Sequence, residues 1–244
     1  MDGANALLAG TGLCKRFGAL TVLDGVDFAI GPGEAIGVVG PNGAGKTTLL
    51  NVLSGALPPT AGTIRVRGAD VTHVGAAERC RLGIARSHQI PRPFGGMTLF
   101  ENVYVAATNG ARERGEAAYA RCADALDLCG MLPIANRRAE TLGLLDRKRL
   151  ELARAMATNP VALLLDEIGG GLTDSEASEL LDTIRELKAR GLSIVWIEHI
   201  VHVLVQVIDR LVCLDGGRII ADATPETVLA DKNVIAAYLG EGLT

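Results

Sequence analysis

Nine consecutive residues, Gly40-Pro41-Asn42-Gly43-Ala44-Gly45-Lys46-Thr47-Thr48, have the types and spacing to hold a phosphate chain. They fit G-x-x-x-x-G-K-[ST] without a mismatch. Glycines let backbone N–H groups curl around an anion, and the start of a following helix adds partial positive charge. Lys46 can reach terminal phosphates, and the Thr47 hydroxyl can ligate Mg²⁺. The flanks supply the context this chemistry needs. Ala35-Ile36-Gly37-Val38-Val39 is a short apolar run of buried-strand type, and Leu49 to Leu53 opens a helix.

Four further positions can act on a bound phosphate. Asp166-Glu167 ends the apolar run Val161 to Leu165, where an open α/β sheet places its ligand chemistry. Asp166 suits Mg²⁺ coordination through water, and Glu167 suits polarising an attacking water as general base. Glu198-His199 closes a second apolar run, Ser193 to Ile197, so His199 is expected at the same sheet edge, able to donate to a terminal phosphate. His199 and His202 have H-x-x-H spacing, but no third ligand lies nearby, which argues against a metal site of that kind. Gln89 can touch both Mg²⁺ and the water. Phe17 has two readings at this level, a ring stacked on a base or a core aromatic.

The elements that must position these groups follow from patterning. Leu13 to Phe17, Val26 to Ile30 and Thr63 to Arg67 read as short strands, broken by Gly31-Pro32-Gly33-Glu34 and by Pro58 to Gly62. This is a largely antiparallel set beside a strand–loop–helix unit. From about Ile90 to Pro160 the pattern turns helical: Met97 to Ala107, Ala111 to Leu132 and Arg147 to Thr158. Thr173 to Glu176 is a capping box opening a helix towards Arg190, with Gly191 as its stop. Arg210 to Leu214 and Arg218 to Ala221 flank Asp215-Gly216-Gly217 as a hairpin. Thr224-Pro225 starts a short helix with Thr224 as cap, and a last helix covers Asn233 to Leu239.

The totals bound the classes. The chain has 244 residues, 48% of them hydrophobic and 21% charged, which predicts a sizeable core. Aromatics are 3%, so Leu, Ile, Val and Ala must build it. The net charge of −4 argues against a broad footprint for nucleic acid. Cys14, Cys80, Cys122, Cys129 and Cys213 are odd in number and form no C-x-x-C pair, as expected of reduced thiols in a cytoplasmic protein. No apolar run is long enough to span a membrane, and the N-terminus has no secretory pattern.

The ordered set Phe17, Gly40 to Thr48, Gln89, Asp166-Glu167 and His199 resembles the ATP-binding subunits of ABC transporters over nearly the whole chain. Ala85-Arg86-Ser87-His88-Gln89, Met97 to Val103 and the ending Val234 to Glu241 resemble the subunits that power branched-chain amino acid importers. The resemblance implies a P-loop NTPase fold of the ABC type in a single α/β domain spanning 1–244. Residues 1–89 and 160–244 would form the ATP-binding core with its antiparallel β subdomain, and 90–159 the helical subdomain. It implies ATP and Mg²⁺ as ligands, with Phe17 on the adenine. It also implies a second ATP-binding subunit, a permease pair in the membrane, an external solute-binding protein, and a place on the cytoplasmic face of the membrane.

Two such subunits would bind two ATP molecules head to tail, each phosphate loop closed by the partner's signature segment, close to L-S-G-G-Q in this family. The corresponding stretch is Leu142-Gly143-Leu144-Leu145-Asp146, followed by a well-matched Arg147 to Arg154. Gly143 stands for the serine that would donate to the partner's γ-phosphate. Leu145 stands for a glycine, and a side chain there is expected to crowd the phosphate. Ile168 replaces a proline after Asp-Glu, and Thr173 an Asp or Asn. The chain thus keeps its own loop, magnesium and base residues, while what it lends to the opposite site is degraded. A symmetric pair and an asymmetric pair with a better-equipped partner both remain open.

Overall fold

The computed structural model describes residues 6–239. A six-stranded sheet forms its centre, in the order β10 (Arg218–Ala223), β9 (Arg210–Asp215), β3 (Ala35–Val39), β8 (Ser193–Ile197), β7 (Ala162–Asp166) and β6 (Ile84–Arg86). All neighbouring pairs are parallel except the β9–β10 hairpin. The inner strands are buried along their whole length, which is why they read as continuous apolar runs. Their residues alternate between two cores. Ile36, Val38, Leu164, Val195 and Ile197 face one, while Val39, Leu163, Leu165, Ile194 and Trp196 face the other.

The first core is closed by helix α1 (Lys46–Leu53) and by a second, antiparallel sheet in the order β2 (Leu20–Ile30), β1 (Leu8–Phe17), β4 (Ala61–Val66) and β5 (Ala69–Asp70). β1 and β2 run well beyond the expected Leu13–Phe17 and Val26–Ile30. Their pairing shifts register between Gly10 and Arg16 of β1, opposite Thr21 to Phe28 of β2, so the simple alternation used to find them breaks down there. The second core joins α6 (Asp174–Ala189) to α3 (Leu99–Asn109), α4 (Gly115–Leu128) and α5 (Leu144–Ala157), which lie between β6 and β7 in the chain.

Helix ends differ from expectation for local reasons. α3 starts at Leu99 because Thr98 and Glu101 form a reciprocal capping box. α4 is shorter than Ala111–Leu132, since Arg112 (φ 58°) and Gly130 (φ 67°) leave the helical region on either side. The Thr173–Glu176 box forms as expected. Thr224 precedes α8 (Pro225–Leu229), but its hydroxyl pairs with that of Thr227 at 3.0 Å and caps no backbone N–H. The last helix, α9, is Lys232–Leu239, and Gly240 and Glu241 lie outside the described residues.

Helix α2 (Ala76–Arg81) and α7 (Val201–Leu204) were not legible as elements. α2 delivers Arg79, which is fully buried. Its guanidinium donates to five backbone carbonyls, those of Val52, Leu53, Val71, Thr72 and Val74, at 2.7–3.1 Å. Two of these belong to the last turn of α1, so a cation satisfies the open C-terminal carbonyls of the helix that begins at the phosphate loop. Among the described residues no helix is long and apolar enough to cross a membrane.

Candidate functional site

Strand register assembles the site. β3, β8 and β7 run parallel, with Val38 beside Ile197 and Ile197 beside Asp166. The loop Gly40–Thr48, the pair Glu198-His199 and the pair Asp166-Glu167 therefore leave the sheet along one edge. β6 ends with Arg86 opposite Leu164, so Ser87, His88 and Gln89 run along that edge as well.

The loop is tight against the strands behind it. A Cβ on Gly40 would lie 1.9 Å from the Leu214 carbonyl oxygen, and one on Gly45 2.7 Å from that of Val22. Both have positive φ, 145° and 104°, which side-chain-bearing residues rarely adopt. These glycines let the main chain pass where no side chain fits. Lys46 folds its ammonium back over the loop, donating to the carbonyls of Gly40 and of Pro41, the latter at 2.8 Å. A cation already poised over the cradle fits a chain of phosphates. The Gly40 N–H donates to the Tyr238 hydroxyl at 2.8 Å, a link from α9 that the sequence did not signal.

Thr47 donates to Asp166 Oδ1 at 3.3 Å. The other Asp166 oxygen accepts from Arg86 at 2.8 Å, and Arg86 in turn donates to Asn51 on α1. A hydroxyl and a buried carboxylate side by side form a hard-oxygen donor set of the kind Mg²⁺ takes. Arg86 and Asn51, which orient that carboxylate, were missed as site residues. Both sit within quoted segments but match no general pattern.

Glu167 has φ 48°, a left-handed conformation that costs an L residue about 1–3 kcal/mol. Its N–H donates to the Ile197 carbonyl at 2.9 Å, which holds it there. The carboxylate is thereby aimed at two other residues of the expected site. Gln89 Nε2 donates to Glu167 Oε2, and His199 Nε2 lies 2.8 Å from Glu167 Oε1. Gln89, Glu167 and His199, far apart in sequence, form one polar cluster beside the Thr47–Asp166 pair. Phe17 stands apart at the β1–β2 hairpin. Its ring is 48% exposed, with Lys15 Nζ 5.2 Å from the ring centroid. This exposure excludes the core reading.

The degraded segment forms the start of α5. Gly143 occupies the N-cap in extended conformation, with no side-chain cap. Leu145 packs partly buried against the second core, while Leu144 is 42% exposed, so the projecting side chain at this helix start is Leu144. Ile168 is buried in the same core, and Thr173 caps α6.

Comparison with known proteins agrees with this geometry. Residues 23–169 match the family model described as ABC transporter, and residues 218–244 match that of the branched-chain amino acid ATP-binding cassette transporter. The chain is 37% identical to the high-affinity branched-chain amino acid transport ATP-binding protein LivG of Escherichia coli, over 96% of this chain and 98% of that protein. It is 34% identical to BraF of Pseudomonas aeruginosa with the same coverage. Among solved structures, a nucleotide-free ATP-binding cassette from an ABC transporter superposes with a TM-score of 0.88 at 29% identity, covering 96% of this chain and 98% of that one. The ADP conformation of such a cassette gives the same score and identity, covering 96% and 99%. With its phosphate loop, its Asp166-Glu167 pair and a likeness that runs almost from end to end, the chain belongs to the ABC transporter family as one of its ATP-hydrolysing cassettes.

Proposed function

We propose that the chain powers an importer for branched-chain amino acids or related small solutes. It would work as a dimer beneath a permease pair on the cytoplasmic face of the membrane, fed by an external solute-binding protein. The observation that carries this reading is the near full-length likeness to branched-chain amino acid transport proteins of two bacteria and an archaeon, the last 31% identical. In this reading residues 1–89 and 160–244 are the ATP-binding core with its β subdomain, and 90–159 the helical subdomain.

The roles follow from the geometry. Backbone N–H groups within Asn42 to Thr48 and the Lys46 ammonium hold the phosphates, and the exposed Phe17 ring receives the adenine. Thr47 and Asp166 would hold Mg²⁺, and Gln89 would touch both the ion and the water. Bound there, the ion would supply positive charge against the phosphate oxygens. Glu167 accepts a proton from the attacking water, and Gln89 and His199, both bonded to it, fix its direction. His199 can instead donate to the terminal phosphate when its N–H turns from Glu167 to the nucleotide.

Glu167→Gln keeps the shape of the side chain and removes the base. Turnover of MgATP should fall roughly a hundredfold or more, while ATP binding persists and an ATP-bound dimer accumulates. Phosphate release and gel-filtration mass test this. Turnover that survives the change removes Glu167 from the role. The start of α5 supports a second arrangement, in which a different cassette with a complete signature closes this chain's loop. Poor hydrolysis by the isolated chain, restored on mixing with such a partner, distinguishes it from the symmetric dimer.

A further inference from the structure

Behind Glu167 and His199 lies a second carboxylate that the reaction as described does not use. Glu198 directly follows β8 and is buried, 3% exposed. A buried carboxylate is costly unless its oxygens are satisfied. Here each oxygen accepts one backbone N–H: Oε1 from Gly169 at 2.6 Å, and Oε2 from His199 at 3.2 Å. Gly169 lies two residues beyond Glu167, in the turn that leads to α6. One side chain thus ties the backbone carrying the histidine to the backbone just past the base. Lys148 enters from a third element, α5. It is also buried. Burial pushes the Glu198 carboxyl above its ordinary range, with Glu167 adding to the push, while the two N–H donors and Lys148 draw it down.

We propose that Glu198 is a positioning residue for hydrolysis, holding His199 and the Glu167 turn in register. The inference rests on the assignment of Glu167 and His199 given above. The two segments it joins carry the base and the histidine, which must be aligned when a nucleotide site closes. The glycine at 169 is part of the arrangement, since a Cβ there would lie 2.7 Å from Glu198 Oε1. That contact, rather than backbone conformation, restricts the position.

The test is MgATP turnover in membrane vesicles carrying the complete transporter, with ATP affinity and melting temperature measured on the purified chain. Glu198→Gln replaces one acceptor by a donor facing an N–H, so His199 or Gly169 loses its partner. kcat is expected to fall about tenfold or more, with KM for ATP within about twofold and the melting temperature little changed. Gly169→Ala and Glu198→Asp should each lower kcat. Their combination should recover part of the loss, because the shorter carboxylate clears the new methyl. This cycle stands even if Glu198→Gln fails to fold. Wild-type turnover in Glu198→Gln overturns the inference. So does a loss of kcat matched by equal losses in ATP affinity and stability, or a double variant whose losses simply multiply. A wild-type transporter without ATP hydrolysis overturns the assignment of the site and this inference with it.

Discussion

Two helices of this molecule begin at glycine where phosphate chemistry is expected, and they are built in opposite ways. α1 starts from a loop pressed against β9 and β2, so that Gly40 and Gly45 exist for want of space. Its other end is clamped by the buried Arg79. α5 starts at Gly143, where an added Cβ would meet nothing within 4 Å and the backbone is ordinary extended chain. Glycine at the first helix is a requirement of geometry. At the second it is the absence of a side chain that geometry would accept. The chain's own nucleotide cradle is therefore fixed by the fold, whereas its contribution to an opposite site is set by composition alone and can be changed without disturbing the fold.

The sharpest way to break this comparison is Gly40→Ala. The methyl would overlap the Leu214 carbonyl, and the residue would be held at a φ that alone costs about 1–3 kcal/mol. ATP binding should weaken more than roughly a hundredfold, as read by equilibrium binding of a fluorescent nucleotide. Near-normal affinity would mean that the loop can move off β9. Next comes the far end of the same helix. Arg79→Met removes a donor from five carbonyls, of which, among the described residues, only those of Val52 and Val71 keep a backbone N–H, for a loss of about 3 kcal/mol or more and a fall in melting temperature of roughly 10 °C. A melting temperature within about 2 °C of wild type would show that α1 needs no clamp.

What could be read from the sequence divides along the same line. The loop, Asp166-Glu167 and His199 were legible because each follows a strand buried on both faces, and such strands announce themselves as unbroken apolar runs. Parallel register then brings their ends together without further information. Gln89 was legible only as part of an ordered set, since β6 is three residues long and leaves no periodicity to detect. Arg79, Arg86 and Glu198 were not legible as a clamp, an orienting partner and a tie. Buried charges are recognised by what surrounds them, and their partners here are backbone groups or residues far away in sequence. The first strands were underestimated because their register irregularities hide the alternation on which strand detection depends.

Smaller effects sharpen the contrast at helix starts. α6, whose N-terminus faces no expected ligand, is sealed by the Thr173–Glu176 box. Thr173→Ala removes the hydroxyl acceptor for the Glu176 N–H, and should cost about 1 kcal/mol by chemical denaturation with ATP binding unchanged. If nucleotide affinity falls as well, this turn is part of the site and not only a cap. α5 offers the reverse experiment. Gly143→Ser places a hydroxyl at an N-cap whose backbone is already in the conformation capping residues adopt, φ −68° and ψ 177°. The serine can accept from the N–H of Leu145 or Asp146, adding a few tenths of a kcal/mol and roughly 1 °C to the melting temperature. In a symmetric dimer it should also raise turnover, by returning a hydroxyl to the segment that closes the partner's loop. A gain in stability without a gain in turnover would separate the two contributions. The obstacle would then be the exposed Leu144 beside the cap, or a partner chain whose own signature had made this segment dispensable.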